Sequence, residues 1–382
     1  MNSPSERVLA IDATRMARER TGIENYLHHI LPGIVKGWSA PAQPGVAHGT
    51  VKVFARYPTF ADDVDPRPDV IASAARGWTQ LALPGALRKA GASVYFSPIP
   101  ILPMFRQMPC PAVVTVHDLH DFRPRWWYFR RLLQRTFSTA SGIICVSQAT
   151  HAALADEFPG LADKAVVIRE GADPAVFRPR STSPESGPQI DDNGVGIMRR
   201  LGIKQPPLLA VGTVQPRKNY SRLIAAYASL PPDSTPPLVI VGRAGWDYEE
   251  VMALPDRLGV GGRVIFTGHL PEADVAALMR ASVALCAVSS GEGFGLPLVE
   301  AMYSGLPILA SDIPPFREVA GTAARFVDPA SEGAIARGLG AMLADPGARQ
   351  EMAQVGLNRR QLFSWDTAAA AIVELLRSLT KL

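Results

Sequence analysis

A doubly wound α/β fold in two halves is what this sequence predicts, on three observations. Short runs rich in Val and Ile alternate with longer amphipathic stretches, the pattern of parallel strands joined by crossover helices. The alternation occurs twice, on either side of residues 178–193 (RPRSTSPESGPQIDDN), whose Pro, Ser and Asp content reads as a linker. The 382 residues suit two domains at about 100–200 residues each.

In the first half Val8–Ala13 reads as a strand, followed by a turn at Thr21-Gly22 and an amphipathic helix over 23–35. Further strands are expected at 51–56, 93–97, 112–117, 142–147 and 166–169, with a helix at 148–158. In the second half strands are expected at Leu208–Val211, Leu238–Val241, 264–267, 284–288, 307–310 and 323–327. Helices are expected at 222–230, Glu272–Ala281 and Leu296–Ser304. These limits give domains at 1–195 and 196–362. A last helix within 363–382, apolar at helical spacing, is expected to pack back on the first domain. Two such halves imply parallel sheets facing a central ligand cleft.

Composition narrows the class. Apolar residues at 47% against 19% charged exclude a disordered chain. A net charge of +4 suits a phosphorylated ligand and does not demand nucleic acid. Cys110, Cys145 and Cys286 stand far apart, so a disulfide framework or zinc site is not expected, and a reducing compartment fits. The first residues lack the apolar core of a secretory signal, and no run reaches the roughly 18–20 apolar residues that span a bilayer. A cytoplasmic protein is expected, soluble or bound at the inner face of the membrane.

The most informative stretch runs from Val288 to Gly321. A strand ends, Gly291-Glu292-Gly293-Phe294-Gly295 follows, and a helix begins at Leu296 with Pro297 in its first turn. Glycines let backbone amides approach an anion, and a helix start adds positive dipole. Glu292 and Glu300 have seven residues between them, and Glu300 is an i, i+4 neighbour of Leu296. A carboxylate among Leu296, Leu298, Val299, Ala301 and Met302 needs a partner, and a ribose diol is a natural one. The plainer alternative is one glutamate on the helix dipole and one paired with an arginine.

Two further segments end expected strands. Residues 211–220 (VGTVQPRKNY) place Arg217 and Lys218 together, a pair suited to a diphosphate: Arg chelates two oxygens and Lys acts as a point charge. An exposed basic turn is the alternative. Residues 112–122 (AVVTVHDLHDF) deliver His117-Asp118 to a strand end, where open α/β sheets bind ligands, although a lone His is often structural.

Together these segments resemble glycosyltransferase family 4. That family carries two glutamates at this spacing, then Gly305-Leu306-Pro307 and Glu318-Val319-Ala320-Gly321, with a G-x-x-x-P-R-K-N pattern at Gly212–Asn219 and a V-H-D at Val116–Asp118. Weaker matches are Asp12, Thr21-Gly22-Ile23 and Val146-Ser147-Gln148. Where some relatives have a further arginine after the glycine, this chain has Thr213.

The resemblance implies a GT-B fold and a retaining, metal-independent hexosyltransferase, without cofactor, acting on a nucleotide-diphosphate sugar. His117, Glu292, Arg217 and Lys218 would be its catalytic residues. Arg217, Lys218, Gly293, Phe294, Gly295, Leu296, Glu300 and Gly22 would bind the donor. Residues 242–248 (GRAGWDY) beside VGTVQPRKN resemble bacterial mannosyltransferases of polysaccharide assembly, which points to GDP-mannose as donor. The acceptor implied is a saccharide or a polyprenyl-diphosphate-linked saccharide. An epimerase on the same fold, or a non-catalytic nucleotide-sugar-binding relative, is the alternative.

Residues 122–135 (FRPRWWYFRRLLQR) carry five arginines and no acids around four consecutive aromatics, a composition that could rest on an anionic leaflet or pack as an ordinary helix.

Overall fold

A computed structural model describes residues 7–14, 22–41, 48–56, 64–65, 67–72, 77–119, 126–180, 182–183, 187–188 and 190–380. They form two units, one of residues 1–171 with 364–382 and one of residues 172–363.

The first unit is built on a seven-stranded parallel sheet. Its strands are β1 (Val8–Ala13), β2 (Thr50–Ala55), β3 (Asp69–Ala72), β4 (Val94–Ser97), β5 (Ala112–Val116), β6 (Gly142–Cys145) and β7 (Ala165–Val167). They lie in the order β3-β2-β1-β4-β5-β6-β7, so the winding reverses between β1 and β4. β1, β4, β5 and β6 are buried at every position, as strands covered by helices on both faces must be. β3 had no counterpart in the sequence reading. The segment at 142–147 is a strand only to Cys145, because Ser147 serves as N-cap of the helix Gln148–Glu157 and accepts from the Thr150 amide.

The helix Gly22–Ser39 carries its apolar stripe (Leu27, Ile30, Ile34, Trp38) inward and lies against the helix Trp365–Ser378. Gly33 permits that approach: a β-carbon there would stand 2.6 Å from Ala369 Cβ. Arg377 closes the pair with 2.7 Å bonds to the carbonyls of Gly37 and Ala40.

A short antiparallel pair, β8 (Thr182–Ser183) and β9 (Gly187–Pro188), lies in the Pro- and Ser-rich stretch. The second unit is built on a six-stranded parallel sheet. Its strands are β10 (Leu208–Val211), β11 (Leu238–Val241), β12 (Val264–Gly268), β13 (Ala284–Ala287), β14 (Ile308–Ser311) and β15 (Ala324–Val327). The order β12-β11-β10-β13-β14-β15 reverses between β10 and β13.

The units part between Gly171 and Ala172, whereas the boundary drawn from sequence at 195 and 196 falls inside the helix Asp192–Arg200. That helix belongs to the second unit for a physical reason. Asp191 caps it by accepting from the Gly194 amide and also takes a 2.8 Å bond from the buried Arg280.

Cys145 and Cys286 are buried free thiols, and burial pushes both up to about 12; Cys110 is half-buried and pushed up to about 11. Among the described residues no helix is long and apolar enough to cross a membrane. Of the basic-aromatic segment, residues 122–125 lie outside the described residues, as does Thr21. The remainder enters the helix Trp126–Thr139, where Arg130 pairs with Glu157 at 2.5 Å.

Candidate active site

In doubly wound sheets ligands bind beyond the carboxyl ends of the strands where the winding reverses. In the second unit those strands are β10 and β13, and the loops that follow them carry the charged residues singled out from sequence.

After β10 the chain makes a 3-10 turn, Pro216–Lys218, and ends it at Asn219 with φ 59°. Asn tolerates this left-handed conformation better than most side chains. Buried Asn219 also donates to the carbonyls of Val288 at 2.9 Å and Pro329 at 2.8 Å, which fixes the turn against the loop after β13. The Ser290 amide donates to the Arg217 carbonyl at 2.9 Å from the other side. Sequence reasoning assigned no role to Asn219; the signal available was a turn-forming residue directly after two adjacent cations.

After β13 comes the Gly-rich loop. Gly295 ends it at φ 110° as N-cap of the helix Leu296–Ser304, where a β-carbon would strike Phe316 at 2.7 Å. No side chain caps this helix, so the positive end of its dipole is left without a capping side chain.

Glu292 reaches back from the loop. Its Oε1 accepts from Lys218 Nζ at 2.6 Å and Ser289 Oγ at 2.8 Å, and its Oε2 accepts from Arg217 at 2.5 Å. Burial alone would push this carboxyl up. Lys218 and Arg217, with the hydrogen bonds from Lys218 and Ser289, outweigh burial and hold it below the usual carboxylate value. Glu292 is 8% exposed, while the cation side chains keep 16% (Arg217) and 15% (Lys218), so the cluster has a solvent face. Burial, then the Glu292 charge, raises the Tyr220 phenol beside it, which stays neutral. Val211, Lys218, Tyr220, Glu292, Leu298 and Phe316 line a pocket here.

The structure thus brings Arg217, Lys218 and Glu292 into one ion cluster. Gly293 and Phe294 are buried in the loop, and Leu296 and half-buried Glu300 follow on the helix. Among the described residues no group of three or more His, Cys, Asp or Glu could hold a metal ion.

The other candidates belong to the first unit. Gly22 is the first residue of its helix and is exposed. Asp12, at the end of β1, is buried and fully used: it accepts from the Thr14 amide and hydroxyl and from the Tyr95 phenol at 2.7 Å. His117 follows β5. Its Nδ1 lies 2.9 Å from Glu170 Oε1 and its Nε2 lies 2.9 Å from the Pro98 carbonyl oxygen. Glu170 is 4% exposed and was not singled out from sequence.

Two family descriptions match the chain: "Glycosyltransferase Family 4" over residues 39–176 and "Glycosyl transferases group 1" over residues 197–359. The chain belongs to glycosyltransferase family 4. Among its relatives is O-antigen chain mannosyltransferase B of Escherichia coli, 28% identical over 272 residues that cover 69% of each chain. The MMP alpha-(1->4)-mannosyltransferase of Mycolicibacterium hassiacum is 29% identical over 259 residues, 65% of this chain and 57% of the other. The crystal structure of Anabaena HepE in complex with UDP and glucose superposes with a TM-score of 0.78, over 98% of this chain and 100% of the other, at 22% identity. This glycosyltransferase therefore has the GT-B fold, two Rossmann-like units each with a parallel sheet.

Proposed function

We propose that this glycosyltransferase moves a hexose, with retention of configuration, from a nucleotide-diphosphate sugar to a saccharide or lipid-linked saccharide acceptor in polysaccharide synthesis. The observation that carries this reading is the ion cluster at the reversal point of the second sheet. Two cations face a single carboxylate beside a helix start that no side chain caps.

A leaving diphosphate gathers negative charge as the glycosidic bond breaks, and preorganised cations and amides stabilise that charge. In this reading Arg217 and Lys218 bind the diphosphate, supported by the amides of Gly293, Phe294, Gly295 and Leu296. No metal or cofactor is required for that step. Glu292 orients sugar hydroxyls once the phosphate has replaced it on the cations, and Glu300 takes the ribose diol. A departing phosphate oxygen accepts the acceptor's proton on the face where the new bond forms.

Mannose, carried by GDP, is the proposed sugar. The relatives named as mannosyltransferases support it, and the nucleotide in the HepE structure supports a nucleotide-dependent donor. Peripheral contact with the inner membrane face, through residues 122–135, belongs to the same proposal; W126A/W127A should reduce co-sedimentation with anionic liposomes.

Calorimetry with GDP, UDP, ADP and dTDP in EDTA tests the donor site. One nucleotide should bind, and Lys218→Ala should abolish most of that binding. Binding of none of them sinks the reading.

A further inference from the structure

The His117 site is fully wired within the first unit, and its wiring decides what the ring can do. Three strand ends meet there. β5 delivers His117, and β4 is followed by Pro98, whose carbonyl is set by the Ser97 hydroxyl bonding to the Ile99 carbonyl at 2.8 Å. The segment after β7 supplies Glu170. A carbonyl oxygen only accepts, so the 2.9 Å contact from Pro98 requires a proton on Nε2. A carboxylate oxygen at 2.9 Å from Nδ1 takes a second.

We propose that Glu170 is a positioning residue which, with the Pro98 carbonyl, holds His117 as a doubly protonated imidazolium, so that its part in sugar transfer is a fixed positive charge and not a base.

The surroundings agree. Burial lowers the ring's affinity for the second proton. The Glu170 bond and charge, the Pro98 carbonyl and the Asp118 charge reverse this, leaving His117 above its ordinary value. Tyr26 stands edge-on to the ring at 84°, with centroids 4.7 Å apart. Its phenol is kept neutral chiefly by burial, so it adds no charge beside the ring. Among the described residues the groups facing the ring are two carboxylates, Glu170 and Asp118, and one neutral phenol.

With both N–H groups committed, the 17% of the side chain left open has no lone pair to give. It can offer an oxygen-rich ligand, such as a sugar hydroxyl or phosphate, only charge and polarised C–H edges. This deepens the transferase reading and rests on it for the word "transfer", but the protonation state is measurable without any substrate.

The test is a pH titration of His117 by NMR on ring-labelled protein, in wild type and Glu170→Gln, beside pH profiles of transfer. The wild-type ring should stay protonated through neutral pH. In Glu170→Gln it should titrate near or below the ordinary value of about 6.5. Transfer by that variant should then fall about tenfold per pH unit above the new pKa and recover on acidification. Glu170→Asp should keep the wild-type profile. A wild-type ring neutral at pH 7, or a Glu170→Gln loss that is equal at every pH, overturns the proposal. Absence of transfer from any nucleotide sugar would defeat the functional reading while the ring titration still decided this one.

Discussion

The two units place charge at the ends of parallel strands in opposite ways. In the second unit two cations share one carboxylate, and all three partners are side chains. In the first, one imidazolium lies between a carboxylate and a backbone carbonyl, and the carbonyl cannot move without moving β4's end. The cluster of the second unit has positive charge to spare for an anion. That of the first unit is balanced by its own carboxylate. Under the proposed function, the same architecture holds one site that exchanges partners and another that keeps them.

The largest expected effect tests the exchangeable site. Lys218→Ala removes a charge-assisted contact of about 1.5–3 kcal/mol, so nucleoside diphosphate should bind about 10- to 150-fold more weakly by calorimetry. An unchanged affinity would break the comparison, because the cluster would then be purely structural. Glu292→Gln should act in the other direction. Freed of their internal anion, Arg217 and Lys218 should bind the diphosphate about tenfold more tightly, while turnover of the full donor falls. Tighter binding joined to slower transfer separates a competing carboxylate from a simple framework residue.

Stability should respond to pH at opposite edges. The Glu292 carboxyl is held below its ordinary value of 4.5, so its contribution is complete above that pH and lost as the pH falls through the depressed value. The His117 ring is raised above 6.5, so its contribution is complete below that pH and lost as the pH rises through the raised value. The melting-temperature gap between wild type and Glu292→Gln should therefore close in acid, and the gap to His117→Gln in alkali. The smallest effect concerns the scaffold. Gly33→Ala forces a β-carbon to 2.6 Å from Ala369 and should cost about 1–3 kcal/mol, with nucleotide affinity at the second unit unchanged.

Much of this was legible in the chain. Gly-rich turns and adjacent cations are local signals, and β10, β13 and their loops stand where the pattern put them. Glu170 was not legible. In residues 168–171 (IREG) it looks like any acid after a strand, and only the fold brings it to a histidine 53 positions away. Residues 178–193 read as linker because Pro, Ser and Asp favour loops. Yet Asp191 and Asp192 open a helix there, since the partner that fixes Asp191 is Arg280, 89 positions on. β3 escaped because Asp69–Ala72 is too short to show a period.

The helix Trp365–Ser378 has a consequence for biosynthesis. Its bond from Arg377 to Gly37 spans 340 positions, and the whole second unit lies between them. A ribosome delivers every residue of the second unit before the helix that covers Gly33 and Gly37 has emerged. The apolar flank of the helix Gly22–Ser39 must wait uncovered through that interval. The unit translated first is therefore completed last, and it is the one with most to gain from a chaperone.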